Sequence, residues 1–524
     1  MTEPKTEKKP LISIRNLKQY FPVRGKRNMF VRANDGVSLD IYEGETLGVV
    51  GESGCGKSTL GRVLIQLYQQ TDGETIYYGR NIDDLVPRYV LDIYNRLEKR
   101  CDAAKTLIVN AQKLEDEYQV IKAEYNAAAD KDKLRARYYQ KRNERNDARK
   151  KANSEYQAMV RLVGGFYVAD KADYPAITKS LQNHFYAARA LFNLNLAIAN
   201  TTVQAEEVKY KIDNGLMGGS EAKYKSLMQK IEKLSGEDTQ KLVAEKAKTQ
   251  AAIDDIRAKY ASNEEFQRYE TMRDNGIDLA RLTYNEMRHL RKDLQLIFQD
   301  PYSSLNPRLT VGQIISEGPI THKKFVSNNA RMQDYATRVM EDCGLAPYMI
   351  HRYPHQFSGG QRQRIGIARA LSVQPKFVVC DEAVSALDVS IQSQIINLLK
   401  DLKEKENLTY MFISHDLSVV KYISDRIVVM YLGVLVELTT SEELFANPLH
   451  PYTQALLSAI PTTDVDRDKD MAILEGDIPS PITPPPGCKF NTRCRECMDI
   501  CLSVAPEWKE QTPGHFVACH KYDD

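Results

Sequence analysis

A glycine-rich segment that follows a short apolar run is the feature that most constrains the fold of this chain. Residues 51–58 read GESGCGKS and fit the pattern G-x-x-x-x-G-K-[ST]. In this pattern the glycines let backbone N–H groups face a polyphosphate, the lysine meets the outer phosphates, and the hydroxyl meets Mg²⁺. The apolar residues 46–50 have strand character, and residues 57–70 are compatible with a helix. The context therefore predicts phosphates bound at a helix N-terminus. The predicted nucleotide contacts are Gly51, Ser53, Gly54, Cys55, Gly56, Lys57, Ser58 and Thr59.

Bulk properties exclude several classes of protein. The 524 residues predict two or three structural units. The net charge of +2 is the difference between 72 basic and 70 acidic side chains, which argues against nucleic acid as the main partner. The longest apolar stretch, 427–436, is about half of the roughly 20 residues that cross a bilayer. The first residues show no apolar signal segment, so the sequence predicts a cytoplasmic chain that meets membranes through partner proteins.

Changes in composition divide the chain into four parts. Residues 1–86 have short strands, the phosphate loop and a first helix. Residues 87–287 are rich in helix formers, with glycine pairs that predict several helices folded back on one another as an arm. Strand and helix patterns alternate again over residues 288–440, and residues 441–524 form a proline-rich tail that ends in cysteines. We expect one α/β core, interrupted by an all-α insertion and followed by a small C-terminal module.

The second part of the core carries side chains suited to phosphoryl transfer. The apolar run 377–380 leads into Asp381 and Glu382. Asp381 is predicted to act through the Mg²⁺ shell and Glu382 to polarise the attacking water. His415 follows another apolar run, which predicts that it reaches the same sheet edge and faces the γ-phosphate. Gln299 also follows an apolar run, and its amide can reach Mg²⁺ or the water. The predicted Mg²⁺ contacts are therefore Ser58, Gln299 and Asp381.

Residues 357–371, FSGGQRQRIGIARAL, resemble the signature of the nucleotide-binding subunits of ABC transporters, and Asp381-Glu382 and Asp388 follow as in that family. The resemblance implies an ABC-type P-loop fold with an antiparallel β lobe and a helical lobe. It also implies ATP as the ligand. The signature would bind the γ-phosphate of ATP held by a second ATPase subunit, through a helix N-terminus and bare glycines. Those nucleotide contacts are Ser358, Gly359, Gly360, Gln361 and Asp388. Phe21 matches the family's adenine-stacking aromatic, and Tyr20 and Phe30 are alternatives.

Four further segments are similar to one branch of that family, the ATPase subunits of dipeptide and oligopeptide permeases. They are residues 299–308, 352–358, 450–456 and 484–488. This similarity implies two membrane-spanning permease subunits, a sibling or identical second ATPase and an extracytoplasmic peptide-binding protein as partners, with the chain peripheral on the cytoplasmic face of the membrane. Ala383 departs from the proline usual in this branch, and its effect would be a looser turn beside Glu382. The arm has no counterpart in the usual members.

The cysteines of the tail suggest a second type of site. Cys488, Cys494, Cys501 and Cys519 are four soft ligands, which suit a [4Fe-4S] cluster or zinc. The branch carries a similar set that binds an iron–sulfur cluster in some members. Cys497 is a fifth candidate, so the sequence leaves the ligand set open, and reduced thiols without a metal are an alternative.

The presence of the arm leaves open an alternative function for the whole chain, and two roles for the arm itself within a peptide importer. An ABC-type ATPase that handles DNA can also carry a coiled-coil arm, and that is the alternative function. The arm of this chain precedes Gln299, however, and the heptad-like spacing that begins at Leu107 fades after Tyr125. Within a peptide importer, the arm is either a solvated helical decoration or a docking or regulatory surface.

Overall fold

The computed structural model describes residues 9–26, 29–128, 130–459 and 476–523. The first residues, where we expect no signal segment, lie outside these ranges. In chain order the strands are β1 (Pro10–Pro22), β2 (Phe30–Tyr42), β3 (Thr46–Val50), β4 (Asp72–Tyr77), β5 (Ile277–Asp278), β6 (Leu294–Ile297), β7 (Phe377–Asp381), β8 (Thr409–Ile413), β9 (Arg426–Tyr431), β10 (Val434–Thr440), β11 (Lys509–Thr512) and β12 (His515–Val517).

The α-helices divide among the core, the arm and the C-terminal part. Within the described ranges, none of them is long and apolar enough to span a membrane. In chain order they are α1 (Lys57–Leu64), α2 (Ile82–Leu85), α3 (Arg88–Tyr94), α4 (Leu97–Ala127), α5 (Asp132–Val163), α6 (Tyr174–Asp213), α7 (Glu221–Lys233), α8 (Thr239–Ala258), α9 (Glu264–Glu270), α10 (Tyr284–Leu290), α11 (Val311–Thr321), α12 (Ala330–Asp342), α13 (Gly359–Leu371), α14 (Val389–Glu406), α15 (Leu417–Ile423), α16 (Ser441–Ala446) and α17 (Pro451–Ser458).

The main sheet has eight strands in the order β11-β12-β10-β9-β3-β8-β7-β6. Strands β9, β3, β8, β7 and β6 run parallel. Their apolar runs are short and continuous, and every residue of β3, β7 and β8 is buried, as expected for parallel strands covered on both faces. The carboxyl ends of these strands therefore meet at one edge, where the predicted catalytic side chains follow them.

The antiparallel β lobe is a four-stranded sheet in the order β2-β1-β4-β5. Its last strand, β5, comes from the segment that we expected to be arm: Ile277 pairs with Tyr77 and Asp278 with Ile76. The chain thus returns to the lobe about ten residues before residue 288. The first helix is also shorter than the expected 57–70. It ends at Leu64, and Gln66 takes a left-handed conformation with a φ of 55°.

The arm is helical and has a core of its own. Its glycine pairs interrupt helices where the sequence predicts, since α5 ends just before Gly164 and α6 ends just before Asn214. Phe166 and Phe266 lie at the base of the arm and are almost fully buried, with ring centroids 5.8 Å apart. Long helices of this kind draw most of their stability from such packing.

The hairpin of α4 and α5 packs against the C-terminal part of the same chain. Tyr118 and Tyr138 are buried together in a small cluster that includes Val504. Beside this cluster, Arg142 of α5 donates to the carboxylate of Asp523 at 2.8 Å. The tyrosines of this hairpin therefore pack within the chain.

A second contact joins the arm to the helical lobe, which comprises α11, α12 and α13. Near the far end of α6, Glu206 accepts a hydrogen bond from Arg331, and Tyr210 donates to Asp334. Arg331 and Asp334 both belong to α12. The arm thus touches its own chain at two places remote from its base.

The C-terminal part is continuous with the main sheet. Strand β12 pairs with β10, with Glu437 opposite Val517, and β11 pairs with β12. We expected a separate module from residue 441, but its hairpin extends the core sheet at the edge beyond β10.

Candidate active site

The phosphate loop lies between β3 and α1, as the sequence predicts. Gly51 and Gly56 have φ values of 148° and 103°, in the region that favours glycine. A Cβ atom would lie 2.2 Å from the carbonyl oxygen of Met430 at the first position and 2.1 Å from that of Ala33 at the second. Lys57 donates from Nζ to the carbonyl oxygens within the loop, at 2.8 Å for that of Gly51. The carbonyl oxygens of Met430 and Ala33 thus leave no space for a side chain at residue 51 or residue 56, so both positions require glycine.

Two of the three predicted Mg²⁺ side chains, Ser58 and Asp381, lie together at the carboxyl edge of the sheet, whereas the third, Gln299, contacts Glu382. Ser58 donates from its hydroxyl to Oδ1 of Asp381 at 2.5 Å. Asp381 ends β7 and has 1% of its surface exposed, and Arg62 donates to its other oxygen at 3.2 Å. A hydroxyl and a carboxylate are the hard oxygen ligands that Mg²⁺ takes beside phosphate oxygens. The donor set thus fits this ion.

The three predicted catalytic side chains also converge. Gln299 donates from Nε2 to Oε2 of Glu382 at 2.7 Å, and Nδ1 of His415 lies 3.7 Å from Oε1. These residues follow β6, β7 and β8, so the parallel order of the sheet brings them together.

The turn that carries Glu382 is conformationally unusual. Its φ of 46° is left-handed, a conformation that costs a residue with a Cβ and often marks a functional position. The backbone N–H of Glu382 donates to the carbonyl of Ile413, and Ser385 donates to the carbonyl of Glu382 from both its N–H and its hydroxyl. Ala383, in the place where proline is usual, is buried. Hydrogen bonds hold this turn without the proline.

The signature segment opens α13 at the surface. The hydroxyl of Ser358 accepts the N–H of Gln361, and the Gln361 side chain accepts the N–H of Ser358, which is a capping box. Ser358 and Gly359 are exposed, and Asp388 stands at the N-cap position of the next helix, α14, without a side-chain capping hydrogen bond. A Cβ atom on Gly360 would lie 2.6 Å from Ile391. The amides at this helix start are thus accessible to an anion on another molecule.

The aromatic residues near the phosphate loop differ in their surroundings. Tyr20 donates its hydroxyl to Asp35 at 2.5 Å, and burial raises its pKa above the ordinary value. Phe21 meets the ring of Tyr68 edge-on, with the centroids 5.4 Å apart, and Phe30 is 44% exposed. Adenine stacking by Phe21 stays a prediction.

Four of the tail cysteines line one cavity of about 260 Å³. They are Cys488, Cys494, Cys501 and Cys519, whereas Cys497 is exposed and its thiol faces the carbonyl of Met498. Burial raises the pKa of Cys488 to about 12 and that of Cys494 to about 11. Cys497 thus does not line the cavity, although its thiol interacts with that of Cys501. Among the described residues, however, no group of His, Cys, Asp or Glu has an arrangement that could hold a metal ion.

Two parts of this site were not anticipated from the sequence. Arg62 lies four residues after Ser58, so the helical i,i+4 spacing could have placed it on the same face. Glu52, the second residue of the phosphate loop, is bound through Nη1 of Arg493 at 2.7 Å. These two residues are 441 positions apart, and no local pattern links them.

The fold and the phosphate loop define a P-loop nucleoside triphosphatase, with Ser58, Asp381 and Glu382 close together at one edge of the main sheet. Comparison with models of known protein families gives the same class. The family model described as "ABC transporter" matches residues 34–243 and 258–385, and the model described as "Oligopeptide/dipeptide transporter, C-terminal region" matches residues 436–501. The chain belongs to the ABC transporter ATPase family, and it is an ATP-hydrolysing enzyme.

Two relatives illustrate the similarity. The oligopeptide transport ATP-binding protein AppF of Bacillus subtilis is 53% identical over 254 residues, which are 47% of this chain and 75% of the relative. The oligopeptide transport ATP-binding protein OppF of Salmonella typhimurium is 53% identical over 251 residues, which are 47% of this chain and 74% of the relative.

Proposed function

We propose that this chain is the ATPase subunit that drives an importer of dipeptides or oligopeptides. The match of residues 436–501 to the C-terminal region of such transporters supports this function. So do the relatives, whose names describe oligopeptide transport. The DNA-handling alternative is not favoured by these comparisons. The expected partners are a second ATPase subunit, two membrane-spanning permeases and an extracytoplasmic peptide-binding protein, with the chain peripheral on the cytoplasmic face of the membrane.

The contact of Gln299 with Glu382, next to the Ser58–Asp381 pair, is the observation that carries the proposed mechanism. Ser58 and Asp381 would hold Mg²⁺, which neutralises charge that develops on the phosphates. Glu382 orients and polarises water, because its carboxylate is fixed by the hydrogen bond from Gln299. His415 faces the same carboxylate, and we expect it to contact the γ-phosphate.

The exposed signature suggests how ATP would link two subunits. Ser358 and the amides of Gly359 and Gly360 lie at the start of α13, on the surface of the protein. An ATP held by the phosphate loop of one subunit would meet this helix start on the other. ATP binding would thus bring the two subunits together, and hydrolysis would separate them and drive the permeases.

The variant Glu382→Gln tests the catalytic part of this proposal. It keeps the size of the side chain but removes the base, so we expect ATP hydrolysis to fall at least about 100-fold while MgATP still binds. Glu404→Gln, at an exposed position on α14, is the matched control and should hydrolyse ATP normally. Retention of wild-type hydrolysis by Glu382→Gln would assign catalysis to another residue.

The substrate is tested with the wild-type chain reconstituted with its permease subunits in vesicles. Peptides and a peptide-binding protein should stimulate ATP hydrolysis, and DNA should not. Stimulation by DNA alone would reverse the assignment.

We further propose that the four cavity cysteines hold a [4Fe-4S] cluster, with zinc as the alternative. Four thiols line one cavity of about 260 Å³, and thiolates are the form that binds metal, so the residue types suit such a group. As the described residues stand, these side chains are not arranged to hold a metal ion, so binding would require the thiols to move closer together. Such a group would have a structural role. Iron and sulfide analysis after anaerobic purification tests this, with Cys497→Ser expected to retain the metal and Cys494→Ser to lose it. Zinc alone in the wild-type protein would exclude the cluster.

A further inference from the structure

Glu52, in the phosphate loop, is held from outside the loop by two side chains. Arg493 binds both carboxylate oxygens, from Nη1 to Oε2 at 2.7 Å and from Nη2 to Oε1 at 3.0 Å. The hydroxyl of Tyr452 accepts the backbone N–H of Glu52 at 2.9 Å. The Arg493 side chain is only 5% exposed, and that of Glu52 is 21% exposed. A two-pronged pair of this kind is strong and directional, so it fixes the position of the loop.

Both holding side chains belong to segments that line the cysteine cavity. Arg493 immediately precedes Cys494, and its backbone N–H donates to the carbonyl of Phe490 at 3.0 Å. Tyr452 packs against the ring of Phe490, with the centroids 5.3 Å apart. Phe490 and Cys494 are part of the cavity wall. The wall of the cysteine cavity is thus linked directly to both side chains that hold Glu52. Cys494 is the next residue after Arg493, and the ring of Phe490 contacts that of Tyr452.

The pair also has an electrostatic consequence for the loop. Glu52 places a negative charge in a loop whose ligand carries several negative charges. The guanidinium of Arg493 compensates this charge, and its hydrogen bond to Glu52 raises the pKa of Arg493. A carboxylate without that partner would repel the phosphates.

We propose that Arg493 is a positioning residue for the phosphate loop, through which the C-terminal cysteine segment sets the affinity of the loop for MgATP. Arg493 acts through Glu52 and does not touch the reacting atoms. The proposal requires that the loop bind ATP, and it is independent of what the transporter carries.

Titration of full-length variants with a fluorescent ATP analogue and Mg²⁺ tests the proposal. Arg493→Ala should raise the Kd about tenfold, which corresponds to about 1.4 kcal/mol. Arg493→Lys keeps the charge but loses the second bond, so it should lie between Arg493→Ala and the wild type. The double variant Glu52→Gln/Arg493→Ala should recover to within about threefold of wild type, since no carboxylate is left to compensate.

Arg142→Ala is the control, because it breaks a contact of the C-terminal part on the arm side and should leave the Kd unchanged. An unchanged Kd in Arg493→Ala would overturn the proposal. So would a double variant no better than Arg493→Ala, because Arg493 would then act only by holding its own segment. A wild-type chain that does not bind MgATP would overturn the proposal and the ATPase mechanism together.

Discussion

Glu74 should make the stability of this protein depend on pH in the direction opposite to that of most carboxylates. It lies on β4 with 4% of its surface exposed, and its Oε1 is buried without a hydrogen bond among the described residues. Burial raises the pKa of Glu74 to about 7 from an ordinary value of 4.5. Arg161 of the arm lowers this pKa and Asp278 raises it further, but burial has the largest effect.

The size and sign of the effect follow from this shift. The folded chain retains a proton that the unfolded chain releases between pH 4.5 and about pH 7. The contribution to stability is therefore complete below pH 4.5 and is lost as the pH rises through about 7. A shift of this size corresponds to about 3 kcal/mol. Glu74→Gln carries no titrating group and should lose this dependence.

Urea unfolding at about pH 5 and pH 8, on either side of most of this titration, measures the difference. The wild type should lose about 3 kcal/mol more between these two conditions than Glu74→Gln does. Hydrogen exchange of the β4 amides reports the same change locally. Glu404→Gln is the exposed control and should behave like the wild type. Equal pH dependence in the wild type and Glu74→Gln would refute the assignment of a raised pKa to this buried carboxyl.

Two further variants test other parts of the structure. Gly56→Ala should abolish MgATP binding in equilibrium dialysis, because its Cβ would lie 2.1 Å from the carbonyl oxygen of Ala33 at a φ of 103°; normal binding would show that the loop can relax. Arg142→Ala loses a charged hydrogen bond to Asp523 worth about 1.5 kcal/mol, so hydrogen exchange in α4 and α5 should become about tenfold faster. Unchanged exchange would mean that the other contacts of the hairpin, such as the buried tyrosines and the Arg145–Glu507 pair, are enough to hold it in place.

The parts of the site that could be predicted from the sequence are those encoded by short segments. Each residue that we predict to be catalytic follows an apolar run, and runs buried on both faces form parallel strands whose carboxyl ends meet. Gln299, Glu382 and His415 could therefore be placed together without knowledge of their distances. The phosphate loop was predictable because its glycines, lysine and hydroxyl all lie within one contiguous segment, residues 51–58.

The parts that could not be predicted depend on contacts between distant segments. Arg493 and Glu52 are 441 positions apart, and Arg142 and Asp523 are 381 apart. Arg142 lies on a helix, where a charged residue is usually solvated, and Arg493 lies in a turn, so neither pairing leaves a pattern in the sequence. The early end of α1 was missed because Gln66 adopts a left-handed conformation that its residue type does not indicate.

The length of α6 gives its contact with the helical lobe a mechanical consequence. Its 40 residues extend for about 60 Å, at a rise of about 1.5 Å per residue. In its first half it is joined to the base of the arm, where Arg189 donates to the carbonyl of Val86, and near its end, about 30 Å further along, Tyr210 meets Asp334. A tilt of about 5° at Arg189 would shift the far end by about 3 Å. The helix thus couples the base of the arm to the helical lobe. Any rotation of the helical lobe must either move α6 with it or break the contacts of α6 with α12.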